Sequence, residues 1–436
     1  MDFIKFILPS VMSIITISLY MTVDMIFVSR FAGPMALAGV NIIMPLLNFS
    51  FALGIMMAAG ASAMVGIELG ENRIKEALQH FTLVFCFLSI LMLILFFGIW
   101  GADPERIARI CGASPALVDI SADYLRSFSF GISAIVLQVF FEFFIRLDGK
   151  PMWAFLITLA SGLTNVSLDY ILIAKLGMGV QGAGIASSCG IGVAILIGSL
   201  YFCFRSRYLM LARPVLDLKF IAKAMGNGSS EMVTELSSGV KMLVFNLVII
   251  RYAGEAGVGA MAILINLYFL LSAGHMGLSM GVAPVISVNF GQKNFTKIRQ
   301  LGQQTLITAA IASILIFALA RFAPPPIIHI FSKDSAVIQL AGQGMVFFAF
   351  VFLFNGFTIL VSGFFTAVGN GKVSAAVAIF NCFVFTLGFV LILPRFLGLS
   401  GVWLSIPMAE ISGLFISGFF LVKYKARYLV QDAYPL

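Results

Sequence analysis

The segment GASAMVGIELG, residues 60–70, returns as GVAPVISVNFG at 281–291, so that Gly60 and Gly70 are answered by Gly281 and Gly291, 221 positions later. Other anchors follow at nearly the same distance. Gly149-Lys150 is matched with Gly371-Lys372, and Gly179 and Gly182 with Gly398 and Gly401. A spacing that stays between 219 and 222 along half a chain is an internal duplication. The chain is built twice from one plan.

What is duplicated follows from composition. Of 436 residues 61% are hydrophobic and 11% charged, whereas a soluble domain carries about 25% charged residues. The apolar stretches recur along the whole length, each near the roughly 20 residues that cross about 30 Å of hydrocarbon as a helix. There are twelve of them, six in each half. The fold class expected is an all-α membrane protein, with twelve transmembrane helices in two six-helix lobes.

The domains expected are an N-terminal lobe at 1–204, a basic cytoplasmic linker at 205–224 and a C-terminal lobe at 225–436. An even number of spans per repeat orients both lobes alike, which implies a pseudo-two-fold axis along the membrane normal and a cavity between the lobes. The first apolar stretch is too long for a signal-peptide core and carries Asp24, so it is expected to be retained as a span.

Lys and Arg fix the orientation, because cytoplasmic loops hold an excess of them. With the N-terminus inside, the inner segments carry seventeen and the outer segments eight. Both termini are therefore expected in the cytoplasm, in a multi-pass protein of the plasma (inner) membrane. The net charge of +8 is accounted for by this bias and gives no reason to invoke nucleic acid. Five cysteines show no metal-ligand spacing and suggest no disulfide.

An ionised Asp at the bilayer centre costs about 2.5–3.5 kcal/mol on insertion scales, so acids within spans are functional candidates. Asp24 lies six residues before Arg30, Asp169 six before Lys175, and Ser187 a few residues into the sixth span. At 1.5 Å per residue all three fall about 8–10 Å from the outer edge, and Asn165 is one turn from Asp169 on the same face. Two carboxylates, an amide oxygen and a hydroxyl at one depth suit a small hard cation. They equally suit a proton, since neighbouring acids in a low dielectric do not both ionise readily. The residues leave the choice between H⁺ and Na⁺ open; if Na⁺ couples, Asp24, Asn165 and Asp169 are its expected ligands. At an offset of 219, Asn165 and Asp169 correspond to Val384 and Gly388, so the second lobe repeats the helix without them.

Glu231, Glu235, Lys241, His275 and Glu410 are further candidates for the substrate path or for coupling in the second lobe. Glu231 and Glu235 are expected at the cytoplasmic boundary. Glu142 and Arg146, four residues apart, are expected to pair locally. Pro9, inside the first span, is expected to kink it and to act as a hinge.

Enzyme motifs fail on context. GLSMG at 277–281 matches the nucleophile-elbow pattern but lies in a span. No HExxH and no GxxxxGK[ST] is present. The expectation is a non-enzyme with no cofactor other than a coupling ion.

Twelve spans as six plus six, Pro9 and Asp24 in the first, the NxxxD of Asn165 and Asp169 in the fifth, GAGIAS in the sixth and the late PVISVNFGQ together resemble the MATE family of multidrug and toxic compound extrusion transporters. ELSSGVKMLVFN in the seventh span is similar to the MepA-like subgroup, near the DinF branch. The resemblance covers essentially the whole chain and rests on the joint pattern. It implies export of varied, often cationic amphipathic compounds in antiport with H⁺ or Na⁺ by alternating access. It also implies a first-lobe cation site at positions matching Asp24, Asn165, Asp169 and Ser187, with Ser187 standing where Thr is usual. A further branch uses a seventh-span Glu, near Glu235. The partners implied are small-molecule drugs or organic cations and the lipid bilayer, for a monomeric protein. The alternative from a neighbouring branch is a flippase for a lipid-linked saccharide, which would call for a basic cavity that the spans, with only Arg126 and Lys241, scarcely supply.

Overall fold

A computed structural model describes residues 3–322, Ile328 and 334–429. The extreme termini, whose sidedness the sequence predicts, and Lys333, counted among the outer basic residues, lie outside the described residues. The chain divides into two compact units, Met1–Gly228 and Ser229–Leu436.

In the first unit, α1 (Phe3–Phe27) runs into a wide π-helical turn, Val28–Ala32. Then come α2 (Pro34–Gly70), α3 (Ile74–Gly101), the short α4 (Pro104–Ile110) and α5 (Val118–Leu147). The helix α6 (Pro151–Asp169) passes into a second π turn, Tyr170–Lys175, and α7 (Gly179–Phe204) closes the unit. Proline opens α2, α4 and α6, where its missing N–H costs nothing. The buried axis is α5, on which α2, α3, α4, α6 and α7 all pack.

The second unit is entered by α8 (Leu218–Gly291), 74 residues long. A straight helix of that length would span about 110 Å, several times the hydrocarbon thickness. It is broken at Gly254, whose φ is +60°. Gly33, which separates α1 from α2, has φ +96° and lies 221 positions earlier. The long element is thus the second copy of α1 and α2, and Glu231 and Glu235 stand 13 and 17 residues into it rather than at its start. After it come α9 (Phe295–Phe322), α10 (Ser335–Phe348) and α11 (Val351–Ala367). The helix α12 (Gly371–Ile379) continues through a third π turn, Phe380–Phe385, into α13 (Thr386–Leu397), and α14 (Leu399–Leu429) follows. Taken as one span, the α10–α11 pair, bent by 59°, brings the apolar crossings among the described residues to eleven. Splitting α8 at Gly254 makes twelve. The core of this unit gathers Phe245, Leu264, Phe348, Phe352 and Trp403.

Positive φ angles mark the same places in both copies. Asn72 (+62°) pairs with Lys293 (+56°), and Gly179 (+58°) with Gly398 (+57°). Gly149 (+82°) pairs with Gly369 (+76°), not with Gly371. The predicted match of Gly149-Lys150 to Gly371-Lys372 is therefore two residues out of register, because what is repeated is the left-handed turn residue and not the lysine.

The first turns of α8 pack on the interior of α2 within the first unit at two glycines. A Cβ built on Gly60 would collide with the Ala224 carbonyl oxygen, and one on Gly228 with that of Met56. The connection 205–217 is held down by Asp148, whose buried carboxylate accepts from the Tyr201 hydroxyl (2.5 Å) and the backbone N–H groups of Arg207 (2.7 Å), Tyr208 (2.6 Å) and Leu209 (2.9 Å).

Candidate functional site: an acid pair between two π turns

In the first unit Asp24 and Asp169 each lie near the end of a helix that runs into a π turn. Asp169 is the last residue of α6 before its π turn, and Asp24 lies four residues before the π turn that ends α1. The two π turns pack against each other. A π turn widens the helix and releases one i→i−4 bond, and such turns recur at functional sites. Here they carry the two acids toward one another, close enough for the charge of one carboxyl to act on the other.

Around that pair, Asn165 donates from Nδ2 to the Ser187 hydroxyl at 3.1 Å. The contact is possible because Gly190 lets α7 approach α6 closely: a Cβ there would lie 2.9 Å from the Ser161 carbonyl oxygen and 3.2 Å from the Asn165 Cβ. Asn165 and Asp169 are buried and Asp24 is half-buried. The acceptors are left without donors. Asp24 Oδ1, Asn165 Oδ1 and both carboxylate oxygens of Asp169 are buried and receive no hydrogen bond from any protein group. Buried polar atoms are nearly always paired, because an unpaired one forfeits its hydration, about 1–3 kcal/mol and more for a charged group. Four such oxygens in one place form a set that a proton or a small cation would complete.

Aromatic and polar side chains extend the site inward. Tyr124 is buried beside both acids. Tyr20, on α1 one turn before Asp24, lies against Gly162 of α6 and reaches the Gln138 side chain on α5. Gln138 donates to Glu142 at 3.1 Å, and Glu142 pairs with the buried Arg146 at 3.7 Å. The predicted local pair of Glu142 and Arg146 is thus present, and it is the inner end of a polar strip that begins at Asp24.

The helix that carries Asp24 is compliant. Pro9 is buried within it, and Ser10, Ser13, Ser18 and Thr22 each turn a hydroxyl back onto the carbonyl four residues earlier, Ser13 onto Pro9 at 2.9 Å. Side-chain bonds of this kind weaken and bend helices.

The second unit buries its polar residues differently. Glu410, on α14, accepts from Thr358 at 2.6 Å and Asn381 at 3.2 Å, with the Tyr268 hydroxyl at 3.5 Å. Lys241 is close enough to act on Glu410 and on Glu235 through its charge, and Glu231 lies beside Glu235. The Lys241 ammonium is also 3.7 Å from Cys382 Sγ. Asn381 sits in the third π turn. The Glu410 carboxylate is therefore supplied with donors, while the amide oxygens of Asn355 and Asn381 beside it receive none. His275 is apart from this cluster: it is fully buried, bonds the Ser313 hydroxyl at 3.1 Å and packs on Gly356.

So the structure brings Asp24, Asn165, Asp169 and Ser187 together, sets Glu231, Glu235, Lys241 and Glu410 in one neighbourhood of the other unit, and leaves His275 and Pro9 elsewhere. Sequence reasoning missed Tyr20, Tyr124 and Gln138. The signal for Tyr20 was its spacing of four from Asp24; Gln138 has the same spacing from Glu142.

Two repeats of six apolar helices, one of them burying a group of donor-free oxygens, define a polytopic membrane protein of the duplicated-lobe transporter class. The comparisons with known proteins agree. The MatE family model matches residues 9–171 and 232–392, and the chain belongs to that family. The multidrug export protein MepA of Staphylococcus haemolyticus is 25% identical over 434 residues, covering 98% of this chain and 94% of that protein. MepA of Staphylococcus aureus strain MRSA252 is 24% identical over 93% of this chain and 89% of its own length. Among solved structures, an outward-facing multidrug resistance MATE transporter of the MOP superfamily superposes with a TM-score of 0.91, at 22% identity over 98% of this chain and 96% of that one. A MOP superfamily transporter from Pyrococcus furiosus gives 0.90 at 22% identity, over 97% and 95%. These likenesses establish the fold.

Proposed function

We propose that this chain is a secondary active multidrug efflux transporter, exporting amphipathic, often cationic compounds in antiport with H⁺ or Na⁺ by alternating access. The observation that carries the coupling assignment is the donor-free oxygen set of Asp24, Asn165 and Asp169 beside Ser187. A bound H⁺ or Na⁺ satisfies those oxygens. Its departure leaves two facing carboxylates whose repulsion favours separation of α1 from α6. With Pro9 and four back-bonded hydroxyls, α1 is the element that yields. Such a change converts ion occupancy into a helix movement, which is what antiport requires.

The second unit serves a structural role in this reading. Glu410 is already hydrogen-bonded by Thr358 and Asn381 and balanced by Lys241, so it has no unmet need for an ion. The lipid-linked saccharide flippase is disfavoured because the basic residues within the described spans are committed or exposed: Arg146 pairs with Glu142, Lys241 lies by Glu410 and Glu235, and Arg126 is exposed beside Asp123. The remaining assignments are a monomer in the plasma (inner) membrane with both termini in the cytoplasm, no catalytic activity and no cofactor beyond the ion.

The deciding experiment is ethidium efflux from vesicles with pH and Na⁺ gradients imposed separately. Uphill movement under one gradient supports the reading and names the ion. Movement under neither refutes it.

A further inference from the structure

A groove of about 300 Å³ opens within the second unit between α8, α9, α11 and α14. Its body is apolar, walled by Val282 and Ile286 of α8, Leu306 of α9, Val361 of α11 and Leu421 of α14. Two basic side chains, Arg299 and Lys425, and the amide of Gln303 complete the lining, and all three are exposed. They belong to one end of the unit. Arg299 is in the second turn of α9, close after the turn that leaves α8, and Lys425 is in the last turns of α14. Phe290 and Tyr428, at the adjoining ends of α8 and α14, pack at a tilt with ring centroids 5.6 Å apart. One buried polar group faces the groove from its wall: the Thr305 hydroxyl, which finds no hydrogen-bond partner although the residue is only 5% exposed.

The charge pattern selects the occupant. An amphipathic cation, the substrate class proposed above, would meet two like charges at the mouth. A zwitterionic lipid gains little from them. An anionic phospholipid satisfies every part: an acyl chain along the apolar walls, a phosphate at Arg299 and Lys425, and ester or glycerol oxygens for Gln303 and Thr305. Basic residues at the polar end of an apolar groove between helices are the recognised arrangement for such headgroups, worth about fivefold in affinity for each Lys or Arg. We propose that this groove is a binding site for an anionic glycerophospholipid of the cytoplasmic leaflet. It is independent of the coupling site, which lies in the other unit.

The test uses the full-length purified protein in detergent, titrated with phosphatidylglycerol, phosphatidylcholine and soluble glycerol 3-phosphate, with native mass spectrometry reading occupancy. Phosphatidylglycerol should bind well ahead of phosphatidylcholine, and glycerol 3-phosphate should not bind. In the doubly substituted Arg299→Gln, Lys425→Gln protein the preference should fall by roughly twenty-five-fold. Gly302→Leu, which fills the groove without touching a charge, should lower the binding of both lipids. Equal binding of the two lipids by the wild type overturns the proposal even if no variant folds. Retention of the preference in the double variant also overturns it, and binding of glycerol 3-phosphate alone reassigns the site to a soluble phosphate.

Discussion

Replacing Asp169 by Asn removes one charge and almost no volume. Both oxygens of the native carboxylate are buried without a donor, so the substitution breaks no hydrogen bond and takes an unpaired charge out of a low-dielectric site. The folded protein should be as stable as the wild type or more so, with an unchanged or raised melting temperature in detergent. Coupling should be lost. One H⁺ entering across about 100 mV releases about 2.3 kcal/mol, and one pH unit adds about 1.4. The total of about 3.7 kcal/mol sustains a gradient of roughly 500-fold for a neutral compound, at about 1.4 kcal/mol per tenfold. Without the acid pair the limit is equilibration, a ratio of about 1. The assay is steady-state dye accumulation in vesicles of known membrane potential and pH difference. An Asp169→Asn protein that still sustains a gradient near that of the wild type refutes the assignment. One that fails to fold refutes the reading of the carboxylate as unpaired.

Further substitutions separate packing from coupling. Glu410→Gln keeps an acceptor for Thr358 and Asn381 but no charge for Lys241, so the melting temperature should fall by a few degrees while gradient-driven efflux persists; loss of efflux at full stability would move Glu410 into the coupling site. Gly60→Leu places a side chain where the Ala224 carbonyl lies, and should abolish folded protein by size-exclusion chromatography, whereas Gly98→Leu, in open space, should not. Asp148→Asn turns an amide toward three backbone N–H groups and the Tyr201 hydroxyl, at a cost of about 3 kcal/mol or more. Limited proteolysis should then cut within 205–217, and resistance equal to the wild type would count against the anchoring role.

The fold was legible because bilayer physics leaves few choices. Twelve apolar stretches in a chain so poor in charge have to be helices, and repeated glycines set the two-fold plan before any coordinate is known. The exact repeat was less legible. Gly149-Lys150 looked like Gly371-Lys372, yet the conserved requirement is a residue at positive φ, met by Gly369. The four members of the acid site were legible from depth and helical spacing, which are one-dimensional quantities. The π turns that bring Asp24 and Asp169 face to face were not, since no residue pattern in VSRFA or YILIAK announces them. Equally hidden were contacts that depend on which helix lies beside which, such as Tyr20 with Gln138, or Glu410 with Thr358 and Asn381. At Val384 and Gly388 the second unit lacks counterparts of Asn165 and Asp169; its buried carboxylate is Glu410 of α14, already a candidate in the sequence, whereas the amide of Asn381, one turn before Val384, was not read from it.

The central claim is that the Asp24–Asp169 pair holds the ion that a drug displaces. Calorimetric titration of ethidium into the purified protein, in buffers of different ionisation enthalpy and at low and high Na⁺, counts that ion directly. The account predicts release of about one H⁺ or one Na⁺ per drug bound by the wild type, and none by Asp24→Asn or Asp169→Asn proteins that still bind the drug. Release of the same ion count by wild type and by both variants would contradict it.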